Sequence, residues 1–309
     1  MITTIFKKST PINYSLVVVL VLFFFFLYQV QQTKWTDLLA NSIQVILTIV
    51  LLIASLFLCN FIVKKNILTK NSSYTLLFFF VLLLFFPTVL KNTNLIVSNF
   101  FILLALRRLV SLQTLKAPKE KIFDASLWIF VASLFHFWAI LFILLVYISI
   151  LFHVSRDYRN WLLPFVALFT TAVFFVFYAL LVNQSIIANY LNTIQMDFKI
   201  DYFTSTYQNL ALSIFSVFVV FFVFTAMVSL TSKPLNLQAS YKKMVFAFLI
   251  GTAIFILSSN KSSDILIFTF FPLAVMATNS IEYSQSKLRN EIVLGGCLIA
   301  SFFCFFSQL

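Results

Sequence analysis

Apolar runs recur from one end of this chain to the other, over residues 14–28, 38–63, 72–90, 95–112, 125–152, 161–182, 208–231, 244–258, 265–280 and 292–308. A helix rises about 1.5 Å per residue, so about 20 apolar residues cross a hydrocarbon core of about 30 Å. No stretch is left from which to build a soluble domain. The chain reads as all-α, a polytopic transmembrane helix bundle, with residues 1–309 forming a single integral membrane domain. Composition agrees: 62% of residues are hydrophobic and 10% charged, with mean hydropathy +1.04. Soluble domains run at about 45–50% apolar and about 25% charged.

The run from Ala125 to Phe152 decides the topology. It holds one ionisable residue, His136, and is too long for one ordinary span and short for two. Positive residues gather in cytoplasmic loops, so counting Lys and Arg separates the alternatives. With the N-terminus inside and two crossings, 17 fall inside and only Lys34, Lys91, Lys199 and Lys261 outside. With one crossing, everything downstream flips and the division becomes 12 to 9. The first arrangement is preferred. It gives about 11 crossings (10 if 125–152 is one helix) and puts the C-terminus outside. The setting is a bacterial inner membrane, with Lys7 and Lys8 before a retained first span. Each half of the broken run then has only about 12–16 residues, so the turn must be buried in protein or line a wet cavity. His136 is the expected partner for backbone groups freed at such a break.

The net charge of +12 is explained by this loop bias and does not point to nucleic acid. Cys59, Cys297 and Cys304 lie in apolar segments with no CxxC spacing, so neither a zinc site nor a disulfide framework is expected. A P-loop, a GxGxxG run and an HExxH motif are all missing from the sequence. The 42 phenylalanines read as packing and lipid-facing bulk.

Ionisable groups inside spans are the usual mark of a transporter, and these spans nearly lack them. Four positions remain as candidates. His136 is the deepest: a neutral ring bonded to a neighbouring helix, a proton relay, or a substrate contact. Asp37, in the external loop "QQTKWTDLL", is either the cap of the second helix or a surface general base or metal-coordinating carboxylate. In "NKSSD", Lys261 could hold a phosphate, and Asp264 could pair with it or cap the next helix; the alternative is a plain polar turn. Arg107 and Arg108 would anchor a helix end to anionic headgroups. Pro87, Pro164 and Pro272 should kink their spans or open the first turns, and Gly295-Gly296 would allow close helix approach.

Two stretches carry a resemblance. One is "FDASLWIFVASLFHFWAILFILLVYISILFHVSRDYRNWLLPFVALFTTAVF", a short helix pair followed by a basic turn and a further span. The other is "SSNKSSDILIFTFFPLAVMATNSIEY", an external polar turn followed by a Pro-bearing span. Over about half the chain these resemble the GT-C scaffold of glycosyltransferases that use polyprenyl-phosphate sugars. The chain as a whole resembles a family of uncharacterised bacterial inner-membrane proteins. The GT-C resemblance implies a catalytic acid in the first external loop, matched by Asp37, and a basic phosphate contact near the last external turn, matched by Lys261. It implies membrane lipid, polyprenyl-phosphate above all, as the binding partner. No cofactor is expected, and a divalent metal enters only with the glycosyltransferase reading. The first external loop departs from the scaffold, with about nine residues where the scaffold has a long loop. A non-enzymatic subunit of an envelope complex and, third, a transporter stand beside the enzyme.

Overall fold

The computed structural model describes residues 2–32, 42–198, 203, 205–259, 261–284 and 286–309. Asp37 therefore lies outside the described residues. Among the described residues thirteen α-helices follow one another: α1 (Ile2–Phe6), α2 (Pro11–Gln32), α3 (Ser42–Lys65), α4 (Tyr74–Phe85), α5 (Thr93–Val110), α6 (Pro118–Phe135), α7 (Ile143–His153), α8 (Arg159–Val182), α9 (Ser185–Asn192), α10 (Thr206–Ser229), α11 (Leu235–Leu257), α12 (Ile267–Tyr283) and α13 (Lys287–Ser307). Among the described residues eight helical segments are long and apolar enough to cross a membrane, and two shorter apolar ones, Tyr74–Phe85 and Phe137–His153, accompany them. Among the described residues the sole β-pairing is a bridge between Met196 and Ser258.

The centre is built on α4 and α12. Every residue of α4 is buried, as are nearly all of α12, and the two helices lie against each other. Thr75 and Thr278 join them at 3.1 Å, and Phe79 and Phe270 meet edge to face at 6.3 Å. A helix that is apolar all round belongs inside a bundle or in lipid, and the length of α4 decides for the inside. Its 12 residues rise about 18 Å, too little to span alone, so its terminal carbonyls cannot face hydrocarbon unpartnered. Gln308 donates to the Phe85 carbonyl at 3.0 Å, and Gln29 to that of Leu90 at 3.3 Å. By contrast α8 and α10 bury little of their surface and carry rows of exposed apolar side chains, including Phe169, Phe174 and Phe224.

The apolar run read as 72–90 is not one helix. Pro87 disfavours helical geometry at Phe86, which sits at φ −133° and ψ 75°, and the chain continues as a 3-10 turn over Pro87–Lys91. Pro164 and Pro272 stay inside continuous helices. Pro272 has no N–H for the Phe268 carbonyl one turn back. That carbonyl faces Gly251 of α11, where an added Cβ would lie 3.1 Å from it and 2.9 Å from Thr269 Cγ2. Gly251 is thus the glycine of close approach. Gly295 and Gly296, expected in that role, have open space around them.

The run from Ala125 to Phe152 is broken at His136, an extended residue (φ −144°, ψ 106°) between α6 and a 3-10 turn over Phe137–Phe142. The chain then turns back through α7. Lys119, at the start of α6, forms an ion pair with Asp157, beyond the end of α7, at 3.1 Å. Both ends of the run therefore lie at the same end of the bundle. At the break the Ala132 carbonyl still accepts the His136 N–H at 3.1 Å and takes a second bond from Ser98 at 3.0 Å, and the Ser133 carbonyl accepts from Tyr190 at 3.4 Å. His136 was expected to take that role. Its ring instead lies along that of Phe268, centroids 5.6 Å apart, and its buried Nε2 has no partner among the described residues.

Candidate functional site

Hydrogen bonds sort the chain's turns onto two poles. One pole gathers the turns near residues 8, 70, 113, 157, 240 and 282: Ser73 donates to Lys8, Lys70 to Glu282, Gln113 to Asn66 and Ser240 to Gln113. It holds nearly all the lysine and arginine of the described residues. The other gathers the turns near 29, 90, 136, 193 and 262, and of its basic residues Lys91 and Lys261 are described.

At the lysine-poor pole two cavities adjoin. The first, of about 380 Å³, opens beside the hairpin break and is lined by His136, Trp138, Tyr190, Gln195, Ser258 and Ser262 among others. The second, of about 650 Å³, is lined by Tyr28, Gln44, Thr88, Lys91 and Asp264 with the apolar Leu47 and Val97. Asn92, Asn94 and Phe135 line both.

Each polar side chain is there for a local reason. Pro87 ends α4 early, which leaves Lys91 to Asn94 as a polar turn before α5. Asn92 caps α5 by accepting from the Leu95 N–H at 3.3 Å. Its amide nitrogen donates to Asp264 Oδ2 at 2.8 Å, while Ser262 donates to Oδ1. Asp264 lies in the first turn of the 3-10 segment Ser263–Leu266 and is buried. Thr88 and Ser263 are joined at 2.9 Å, so the turns before α5 and α12 are tied twice. Such a carboxyl group, held by two donors, is an acceptor site in a polar wall that also carries Lys91.

Of the four candidates read from sequence, the fold brings His136 and Asp264 to adjoining cavities. Lys261 turns to the long loop, where its amine donates to the Asp197 carbonyl at 2.7 Å. Asp37 falls between Gln32, the end of α2, and Ser42, the start of α3, and Tyr28 and Gln44 on those two helices both line the larger cavity. Sequence reading passed over Lys91, Asn92 and Tyr190. The signal for the first two was the run "KNTN" at 91–94, four polar residues between two greasy stretches. Among the described residues no group of three or more His, Cys, Asp or Glu is placed to hold a metal ion.

No curated protein and no solved structure matches the chain. One family model does, over residues 1–309, and its description is a family of unknown function. The chain, with its all-helical bundle and two unlike poles, belongs to that family, DUF6427.

Proposed function

We propose that this chain binds the polar head of a lipid-linked phosphate in the paired cavities and transfers a sugar or related group from it, as the GT-C resemblance implies. The basic pole faces the cytoplasm, the cavities open on the outer side of the inner membrane, and the chain crosses about 11 times. The observation that carries the reading is the larger cavity. It joins a cation, Lys91, and a buried carboxylate, Asp264, to apolar walls from Leu47 and Val97. A phosphate needs the first, a lipid chain the last, and acid–base chemistry a carboxylate. In the transfer step a carboxylate takes the acceptor hydroxyl's proton. The acceptor oxygen bonds to the anomeric carbon, and polyprenyl phosphate departs with the electrons of the broken C–O bond. The resemblance selects Asp37 as that carboxylate, and Asp264 is the one the described cavity holds.

A second reading, a non-enzymatic subunit of an envelope complex, is favoured by one observation. Both oxygens of Asp264 already accept hydrogen bonds, one from Asn92 that ties two turns together and one from Ser262 in its own turn, which is the work of a structural carboxylate. Native mass spectrometry of the purified protein with polyprenyl phosphate, and turnover of a labelled polyprenyl-phosphate sugar, test both. The wild type should retain the lipid, and Lys91→Ala should weaken it several-fold, on the order of 1 kcal/mol for one cation. Asp37→Asn or Asp264→Asn should keep the lipid and lose turnover. Retention without turnover in the wild type selects the subunit, and absence of retention removes both cavity readings.

A further inference from the structure

The basic pole holds a second cavity that the reading above does not use. It measures about 270 Å³ and is lined by Lys65, Arg107, Arg108, Lys116 and Lys121 with Asn66, Ser111 and Thr114. Five cations line one small space, and no carboxylate lines it. The nearest carboxylate contact is Asp124, which pairs with Arg108 at 2.7 Å from outside the lining.

Apart from Arg108, the cations are held by groups that leave their charge uncancelled. Lys65 Nζ lies 5.2 Å and the Arg107 guanidinium 4.7 Å from the centre of the Phe61 ring. A ring face attracts a cation without neutralising it. Lys121 donates to the Ser111 carbonyl at 2.8 Å and to the Thr114 hydroxyl at 2.9 Å, both neutral acceptors. Lys116 is exposed on the loop between α5 and α6. The floor is rigid: Asn66 is buried, its amide donates to Ile62 at 2.8 Å, and its carbonyl accepts from Gln113, which Ser240 holds in turn.

The backbone around the space is strained. Ile67, Leu115 and Ala117 have φ of 54°, 53° and 46°, and they are the three non-glycine residues with positive φ among the described residues. All three flank lining residues: Asn66, Thr114 and Lys116. Ile67 closes α3 as a left-handed helix end, its N–H donating to Lys64 at 3.3 Å and that of Leu68 to Val63 at 3.1 Å, while Leu115 and Ala117 hold the Lys116 loop in geometry that costs about 1–3 kcal/mol each. Four of the five cations sit at the ends of α3, α5 and α6 and the fifth, Lys116, on the loop, so a phosphate entering the space meets positive charge from three helices and a loop.

We propose that this cavity is a binding site for a phosphate group, presented by an anionic lipid headgroup or by a small soluble phosphate. The site lies at helix ends. The C-terminus of α5 presents Arg107 and Arg108, the C-terminus of α3 presents Lys65, and the greasy flanks of both helices continue beneath them. A basic pocket between spanning helices on the cytoplasmic side has the chemistry of a headgroup site. A planar guanidinium grips two phosphate oxygens at once, and the lysines supply point charge.

The test uses the full chain, stripped of lipid in neutral detergent. Binding of cardiolipin, of phosphatidylcholine and of inorganic pyrophosphate is followed by native mass spectrometry and by thermal shift. Cardiolipin should bind and phosphatidylcholine should not. The paired variant Lys65→Gln/Arg107→Gln should weaken cardiolipin about thirtyfold, from about 1 kcal/mol per cation removed. Lys116→Gln, on an exposed loop where the fold does not depend on it, should weaken it several-fold. Lys287→Gln, at the same pole and outside the lining, should leave it unchanged. Pyrophosphate that binds alone and competes with the lipid assigns the site to a soluble anion. The proposal is overturned if neither probe binds, or if Lys116→Gln and Lys287→Gln act alike.

Discussion

The two poles of this bundle solve opposite problems with the same helices. At the basic pole charge is abundant and left near water. Arg108 with Asp124 and Lys119 with Asp157 are partly exposed pairs. Lys233 and Lys243 are exceptions, both buried; the Lys243 amine donates to the Leu109 carbonyl at 2.6 Å, at the C-terminal end of α5 where the helix dipole favours a cation. At the other pole charge is scarce, and neutral amides and hydroxyls surround one buried carboxylate, with Lys91 in the same cavity wall. Charge in bulk orients a membrane protein. Charge used sparingly, inside a polar wall, is what selects a ligand.

The largest effect that could break this comparison is topological. A cysteine placed at Ser155, beside the Lys119–Asp157 pair, should react with an impermeant maleimide only from the cytoplasm. A cysteine at Ser259, in the first cavity, should react only from outside. The native thiols are buried and should stay silent. The outcome is all or none, and labelling of both sites from one side would show that the hairpin does not return.

The next effect is energetic and sharpens the contrast. Asn92→Ala leaves the buried Asp264 carboxylate short of a donor, and this should cost about 1–3 kcal/mol in a thermal or denaturant assay. Asp124→Asn at the basic pole breaks a half-exposed pair and should cost under about 1 kcal/mol. Equal costs would mean that the carboxylate at the lysine-poor pole is solvated like the other.

Much of this was legible in the sequence and some of it was not, for physical reasons. The break at His136 was legible because it rests on a count of lysines and arginines, a property of the whole chain that local packing does not change. The role of the His136 ring was not, because the partners that took its place, Ser98 and Tyr190, come from α5 and α9. Asp264 was legible as a polar residue in a turn between two apolar runs. Its donor Asn92 was hidden because the two are 172 residues apart in the chain. Gly295-Gly296 looked like the packing motif because it is a pair. Gly251 takes that place because Pro272 leaves a carbonyl bare on the helix opposite, a relation between helices that no window of sequence contains.

A pH-dependent effect concerns Lys233, which is buried at the basic pole between α10 and α11. Its amine lies 3.0 Å from the centre of the Tyr283 ring and donates to Asn279 at 3.1 Å. Burial pushes its pKa down to about 8, with Glu282 pulling partly the other way. A lysine whose folded pKa lies below its unfolded value of about 10.4 binds fewer protons folded than unfolded between the two. Stability should therefore rise with pH across that window, as the folded amine sheds a proton that the unfolded one keeps. Lys233→Met removes this dependence. The thermal midpoints of variant and wild type, measured from pH 7 to 10, should shift relative to each other in the wild type's favour as pH climbs through about 8. A constant offset over that range would mean that the aromatic and amide contacts hold the ammonium well enough to cancel its burial. The basic pole would then carry even its buried charge without penalty.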